Sequence, residues 1–380
     1  MKVYLDNAAT TPIAKEVFKE MEPYFNSHFG NPSSTHSFGR KTKNGIEITR
    51  KKIADLINAQ NNEIVFTSSG TEADNMALRC AVHDLGAQRI ITTKTEHHAV
   101  GHTAEDLKKI NGIEVLYLNT DDHGNPSIDE LESELKKPVK TLVSLMHANN
   151  EIGTLLPLQE VASICAKHQH VYFHSDTVQT MGHYPFDVKE LDIDFLTCSA
   201  HKLHGPKGIG FLFVKNQILI NPLITGGSQE RNNRGGTENI YGIIGLGKAM
   251  ELAFNDLKEH QEHVQSLKSL MIKELQDIDQ RISFNGQVDP NKSLYTVLNV
   301  CFPNEVCNSM LLFSLDIHGI AASGGSACSS GSNIGSHVLA ELPRQENCQS
   351  VRFSFSRYTT IEEVNYTLEK IRAILLNERK

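Results

Sequence analysis

Short apolar runs alternate with longer stretches of helical apolar spacing along the first two thirds of the chain. The runs EIVFT, RIITT, VKTLVSLM, HVYFH and GIGFLFV are typical of buried strands. Strands that alternate with helices predict an α/β fold, because a helical crossover lets consecutive strands lie parallel. We therefore expect a mainly parallel sheet.

The pattern changes after about Thr237, where apolar residues recur at helical spacing as far as Leu275. Strands near LYTVLNVCF and SVRFSFS follow, with helices expected around 306–316 and 360–377. This order predicts a large domain over residues 1–255 and a small α+β domain over 256–380. We expect the N-terminal segment to pack with the small domain.

Composition and charge restrict the function to a few classes. A net charge of −8 without a dense Lys/Arg segment argues against nucleic-acid binding. No apolar stretch approaches membrane-spanning length, and the start MKVYLDNAATTP resembles neither a signal nor a transit peptide. The seven cysteines are odd in number and scattered, which favours a reducing, cytoplasmic setting with Cys301 as a buried thiol.

Lys202 and Asp176 are candidates for holding pyridoxal phosphate. Lys202 lies in SAHKLHGPKG, a loop between two predicted strands, where an amine can reach a cleft and form a Schiff base. Asp176 follows the run VYF, so it is expected at the carboxyl end of a parallel strand, where it would keep the cofactor's ring nitrogen protonated. Taken singly, these residues are better explained as a solvated lysine and a strand-end or capping aspartate.

Other segments offer contacts to the same cofactor. Gly70 and Thr71 open a helix after EIVFT, where backbone N–H groups and the helix dipole form a phosphate cradle. His97 in TEHHAV is placed to stack on a flat ring and to carry protons, while Asn150 in HANNEIG and Gln179 in HSDTVQ are donors for a ring oxygen. A plain helix cap, a surface histidine and a turn are the respective alternatives.

Cys328 lies in ASGGSACSSGSNIGS, a run that cannot pack a core and is expected to be an accessible loop. A thiol there can attack a sulfur atom once it is ionised, whereas the alternative is a free surface thiol. Arg352 and Arg357 in SVRFSFSRYT are both able to grip a substrate carboxylate.

Taken together, YLDNAATTP, GNPSS, SSGTEADN, TEHHAV, NNEIG, HSDTVQ, SAHKLHGPKGIG, RGGTEN, GGSACSSG and VRFS resemble the motifs of cysteine desulfurases of the NifS/IscS group. The resemblance implies a homodimer of aminotransferase class V that converts L-cysteine to L-alanine. It also implies the pyridoxal-phosphate fold type I, whose large domain has a mainly parallel sheet of the seven-stranded type. Lys202 would anchor the cofactor, Cys328 would take the sulfur as a persulfide, and Lys202 or His97 would move protons. The persulfide sulfur would pass to an acceptor protein for Fe–S cluster assembly or tRNA thiolation.

The same resemblance assigns the remaining site residues. It implies phosphate contacts by Gly70, Thr71, Ser199 and His201, with Thr237 reaching the phosphate of the partner subunit. Asn150 and Gln179 would meet the ring hydroxyl and Asp176 the ring nitrogen, with His97 stacked on the ring. Arg352 and Asn31 would bind the substrate, and no metal is expected.

The chain departs from the pattern at two points, and the second of them concerns the sulfur acceptor. RGGT has Gly where relatives often have Ser or Ala, and the chain ends soon after its last helix, where relatives serving an Fe–S scaffold often carry a longer tail. A selenocysteine lyase or another class V enzyme is the alternative function. A non-catalytic protein that kept the fold is a further one.

Overall fold

The computed structural model describes residues 1–307, 310–324, 335–343 and 348–378. Its strands, in chain order, are β1 (Val3–Tyr4), β2 (Ile64–Thr67), β3 (Arg89–Thr92), β4 (Glu114–Tyr117), β5 (Thr141–Ser144), β6 (Val171–Asp176), β7 (Phe195–Ser199), β8 (Gly210–Val214), β9 (Ser283–Asn285), β10 (Val297–Pro303), β11 (Ile320–Ala321) and β12 (Cys348–Ser354). Every predicted strand is present.

The helices are α1 (Lys15–Asn26), α2 (Ser37–Leu56), α3 (Gly70–His83), α4 (His98–Asn111), α5 (Ile128–Leu135), α6 (Leu158–Cys165), α7 (Val188–Leu191), α8 (Ile240–Asn255), α9 (Leu257–Ile278), α10 (Leu311–Ile317), α11 (His337–Ala340) and α12 (Ile361–Glu378). The helix expected around 306–316 begins later, at Leu311, because residues 304–306 form a turn.

A seven-stranded sheet has the order β2-β8-β7-β6-β5-β3-β4 and forms the centre of the larger unit. Only β8 runs antiparallel to its neighbours in this sheet, so the predicted mainly parallel α/β sheet is confirmed. Strands such as β2 and β5 are buried along their whole length, because helices cover both faces of the sheet. The chain changes direction across the sheet between β3 and β5, and such a switch point opens a crevice at the carboxyl ends of the strands.

A three-stranded antiparallel sheet, β12-β10-β9, forms a second core with α9 and α12. Val3 and Leu5 of the N-terminal segment belong to this core, although they precede the larger unit. Helix α8 packs instead on α1 and α2, and Asp256 separates it from α9. The proposed domain boundary after residue 255 falls at this break.

The cysteines differ from the expectation at one position. Cys301 of β10 and Cys348 of β12 form a disulfide bond, so the prediction of a buried free thiol at Cys301 is wrong. The two strands are direct neighbours, which brings together residues 47 positions apart. No helix in the described ranges combines the length and the apolar character that crossing a membrane requires.

Candidate active site

A cavity of about 220 Å³ lies at the carboxyl ends of β5, β6 and β7. It contains ten of the thirteen residues predicted for the site, although they come from segments far apart in the chain. These ten are Gly70, Thr71, His97, Asn150, Asp176, Gln179, Ser199, His201, Lys202 and Arg352.

Lys202 ends a single helical turn, Ala200–Lys202, that follows β7 directly. Its Nζ donates hydrogen bonds to the carbonyl oxygens of Ala8 (2.5 Å) and Ala9 (2.9 Å). The N-terminal segment therefore holds the amine inside the cavity. A lysine in this position can form a covalent bond with an aldehyde once it is deprotonated.

One end of the cavity is suited to an anion. Gly70 and Thr71 are the first residues of α3, whose N-terminal N–H groups have no acceptor within the helix and carry its positive dipole end. A Cβ atom at position 70 would lie 2.6 Å from Cγ2 of Val178, so this close approach requires glycine. Ser199 and His201 add polar side chains to the same cavity.

His201 and His97 are both neutral at pH 7. Burial, with help from Lys202, lowers the pKa of each to about 4. Nδ1 of His97 accepts a hydrogen bond from the backbone N–H of Ala99 (3.1 Å) and so caps α4. A neutral imidazole whose Nδ1 is an acceptor carries its proton on Nε2, so His97 offers an N–H group to its surroundings.

Asp176 ends β6 and lines the cavity. Its Oδ1 accepts the backbone N–H of Val178 (2.8 Å). Burial, followed by the nearby Asp74, raises the pKa of Asp176 to about 7. Such a carboxylate gains from a cationic partner, which a protonated ring nitrogen would supply. Gln179 donates to the carbonyl of Ala8 (3.1 Å).

Arg352 enters the cavity from β12 of the smaller unit and is 1% exposed. Its guanidinium donates to the backbone oxygen of Asn150 (2.9 Å) and to Asp6 Oδ1 (2.9 Å). Its Nε is buried and has no hydrogen-bond partner among the described residues. Arg357 bonds the carbonyl of Leu252 and is not part of the cavity, so Arg352 is the better candidate for a substrate carboxylate.

Three predicted site residues are not brought into this cavity. Thr237 lines a separate cavity with Arg234 and Glu230. Asn31 accepts the backbone N–H of Ser33 (2.9 Å) and is not among the cavity residues. Cys328 lies outside the described residues.

The structure adds cavity residues that the sequence did not single out. Ala8 and Ala9 contribute backbone carbonyl groups, whose role cannot be predicted from the residue type. Asp74 is a buried acid on α3, four residues after Gly70, and it follows the predicted phosphate cradle within SSGTEADN. Its place in that motif was the available clue, because a helical residue four positions on lies on the same face.

The donor set fits pyridoxal phosphate. A glycine-lined helix N-terminus suits the phosphate, an amine lies within the cavity for the aldehyde, and a buried carboxylate is available for the ring nitrogen.

The chain is similar to several known proteins over nearly its whole length. A family model described as aminotransferase class-V matches residues 3–367. The cysteine desulfurase IscS of Dictyoglomus turgidum is 46% identical over 378 residues, covering 98% of this chain and 94% of that protein. A solved NifS-like protein superposes with a TM-score of 0.91 at 36% identity, covering 99% of this chain and 100% of that one. SspA, solved in complex with cysteine, has a TM-score of 0.81 at 33% identity, covering 94% and 100%.

Proposed function

Because the chain belongs to the aminotransferase class-V family and is a pyridoxal-phosphate-dependent cysteine desulfurase, we propose that it desulfurates L-cysteine in the cavity of Lys202 and Asp176. Cys328 is the proposed sulfur acceptor within the chain. The observation that carries the assignment of the site is the convergence of Lys202, Asp176, the Gly70 helix N-terminus and Arg352 on one cavity. The predicted fold type I is confirmed by the likeness to NifS-like structures.

When bound, pyridoxal phosphate withdraws electrons from the substrate's α-carbon, which prepares the C–S bond for cleavage. In the proposed site, Lys202 holds the cofactor and Asp176 faces its ring nitrogen. Asn150 and Gln179 would bind its ring hydroxyl, and His97 would stack on the ring. Gly70, Thr71, Ser199 and His201 hold its phosphate.

Arg352 is proposed to orient the substrate by its carboxylate. The guanidinium is already fixed by Asp6 and by the backbone of Asn150, so little side-chain freedom is lost on binding. Lys202 Nζ is proposed to carry the proton at the substrate's α-carbon, because Nδ1 of His97 is engaged at the start of α4.

The sulfur transfer balances without an added oxidant. The Cβ–S bond of cysteine breaks, an S–S bond forms to Cys328, and a proton is added at Cβ to give L-alanine. Cys328 is left as a persulfide, which a thiol can reduce to sulfide or an acceptor protein can receive. The free cysteines Cys80, Cys165 and Cys198 are buried and their pKa values are raised by burial, which makes them poor nucleophiles.

A homodimer is proposed as the active form. Aromatic side chains are exposed on α1, α2 and α8 and just after α1. The rings of Phe25 and Tyr241 stack with their centroids 4.6 Å apart, and the ring centroids of Phe29 and Phe38 are 5.6 Å apart. Exposed apolar surface of this kind is typical of protein interfaces. Thr237 lies outside its own chain's main cavity, as expected if it serves the partner's phosphate.

A cytoplasmic location and a sulfur-carrying acceptor, either an Fe–S scaffold or a tRNA-thiolation relay, complete the proposal. A selenocysteine lyase remains the second candidate, since the same cofactor site serves either substrate.

The test is the release of alanine and sulfide from L-cysteine by the cofactor-loaded protein with a dithiol present. Cys328→Ser is expected to keep the cofactor and to lose at least 100-fold in turnover (roughly, for loss of a nucleophile), whereas Cys307→Ser, at a buried cysteine outside the disulfide, serves as the control. Lys202→Ala should leave no cofactor that borohydride can fix to the protein. Turnover by Cys328→Ser at the wild-type rate would refute Cys328 as the nucleophile. Activity of the wild type on L-selenocysteine without activity on L-cysteine would favour the lyase.

A further inference from the structure

Asp74 is a buried carboxyl in the main cavity to which the proposed function gives no role. It is 1% exposed, and its Oδ1 has no hydrogen-bond partner among the described residues. Its side chain is hydrogen-bonded to Thr197. One ligand atom each from Asp74, Asp176 and His97 lie within 4.8 Å of one another. A carboxyl with so little hydrogen bonding is a poor place for a full negative charge.

No histidine beside Asp74 supplies a compensating positive charge. Nε2 of His174, on β6, lies 3.5 Å from Asp74 Oδ1. The two ring nitrogens of His174 also bond the hydroxyls of Ser144 (2.9 Å) and Thr197 (3.1 Å), and burial lowers its pKa to about 4. His97, at the start of α4, is neutral for the same reason. Both rings therefore act as dipoles beside Asp74.

The remaining charged groups around Asp74 favour Asp176 as the anion. Glu96, which precedes α4, is a third buried carboxyl, and burial raises its pKa. A carboxyl group supplies no positive charge in either form. Burial raises the pKa of Asp176 to about 7, and the N–H donated by Val178 and the charge of Lys202 oppose that rise. Burial raises the pKa of Asp74 to about 8. Two buried carboxyls this close do not both ionise at neutral pH.

We propose that Asp74 is a positioning residue that keeps the proton of the Asp74–Asp176 pair, so that Asp176 alone faces the cofactor's ring nitrogen as an anion. The inference rests on the proposed role of Asp176. Its consequence is that raising the pH ionises Asp74 and places a second negative charge beside the cofactor. That charge favours protonated forms of the cofactor and so raises the pH at which they lose a proton.

The first experiment uses infrared spectroscopy on the cofactor-free protein. At pH 7 the wild-type spectrum should contain a carboxylic-acid C=O band that disappears above about pH 8 and is absent in Asp74→Asn. Asp74→Ser, which also removes the carboxyl, replaces Asp74→Asn if that variant does not fold. An Asp74→Asn spectrum with the same acid bands as the wild type at pH 7 would overturn the inference.

The second experiment titrates the visible absorption of the bound cofactor. Wild-type Asp74 ionises above about pH 8, so proton loss from the cofactor above that pH is opposed by a second negative charge. In Asp74→Asn the pH midpoint should therefore fall by about one unit, because this charge is absent. The control Asp106→Asn removes a more exposed acid on α4 and should leave the midpoint unchanged. A purely structural role would weaken cofactor binding without moving the midpoint, and an unmoved midpoint overturns the inference. Failure of the wild type to bind pyridoxal phosphate would instead refute the proposed function, while the infrared result still decides on Asp74.

Discussion

Lys268 is a buried lysine whose replacement is expected to stabilise the protein at neutral pH. It lies on α9, is fully buried, and its Nζ donates to two uncharged oxygens, Ser293 Oγ (3.0 Å) and the carbonyl of Leu294 (2.9 Å). Burial lowers the pKa of Lys268 from 10.5 to about 7. Because one pKa unit is equivalent to about 1.4 kcal/mol, the lowered pKa costs folding about 5 kcal/mol at pH 7.

The direction in which stability changes with pH follows from the number of protons bound by the folded and the unfolded state. Between pH 7 and pH 10.5 the unfolded chain keeps the proton on Lys268 and the folded protein does not. Stability therefore rises with pH across this window. Lys268→Met removes the cost at pH 7 but loses two hydrogen bonds and leaves a buried carbonyl unpaired, about 3 kcal/mol together. We expect a net gain of about 2 kcal/mol at pH 7 that becomes a loss by pH 10.

The measurement is the urea midpoint of unfolding at pH 7 and at pH 10, with cofactor bound throughout. Lys273→Met on the same helix is the matched control, because this side chain is 73% exposed and should show no pH-dependent difference from the wild type. A Lys268→Met protein that is less stable at pH 7, or whose difference from the wild type is the same at both pH values, would refute the reasoning.

Two further substitutions test the phosphate end and the buried ion pair. Gly70→Ala places a methyl group 2.6 Å from Val178 and should weaken pyridoxal phosphate binding in an absorbance titration at least tenfold (roughly, by overpacking). Gly101 has open space around it, so Gly101→Ala should bind pyridoxal phosphate normally. Equal binding by both variants would contradict a phosphate site at Gly70. Glu230→Gln removes the nearer carboxylate of the buried Arg50 (2.7 Å), leaving the part-exposed Glu47 at 3.3 Å, and should cost about 3–5 kcal/mol in urea unfolding; a loss below about 1 kcal/mol would refute this.

The sequence by itself determined the mainly parallel sheet and the edge of that sheet at which the candidate site residues lie. Alternating apolar runs and helical stretches predict parallel strands, and parallel strands point their carboxyl ends to one edge. Asp176 ends one such strand and His97 and Lys202 come after two others, so local pattern placed all three at the same edge of the sheet. The motif resemblance then supplied the roles that spacing left open.

Only the tertiary structure decided the contacts between segments that are distant in the chain. The carbonyls of Ala8 and Ala9 on Lys202, the Cys301–Cys348 disulfide and the placing of Arg352 beside Asp6 depend on which segments become neighbours. The environment of Asp74 is decided in the same way, because burial and neighbouring charge belong to the packed site and not to the residue type.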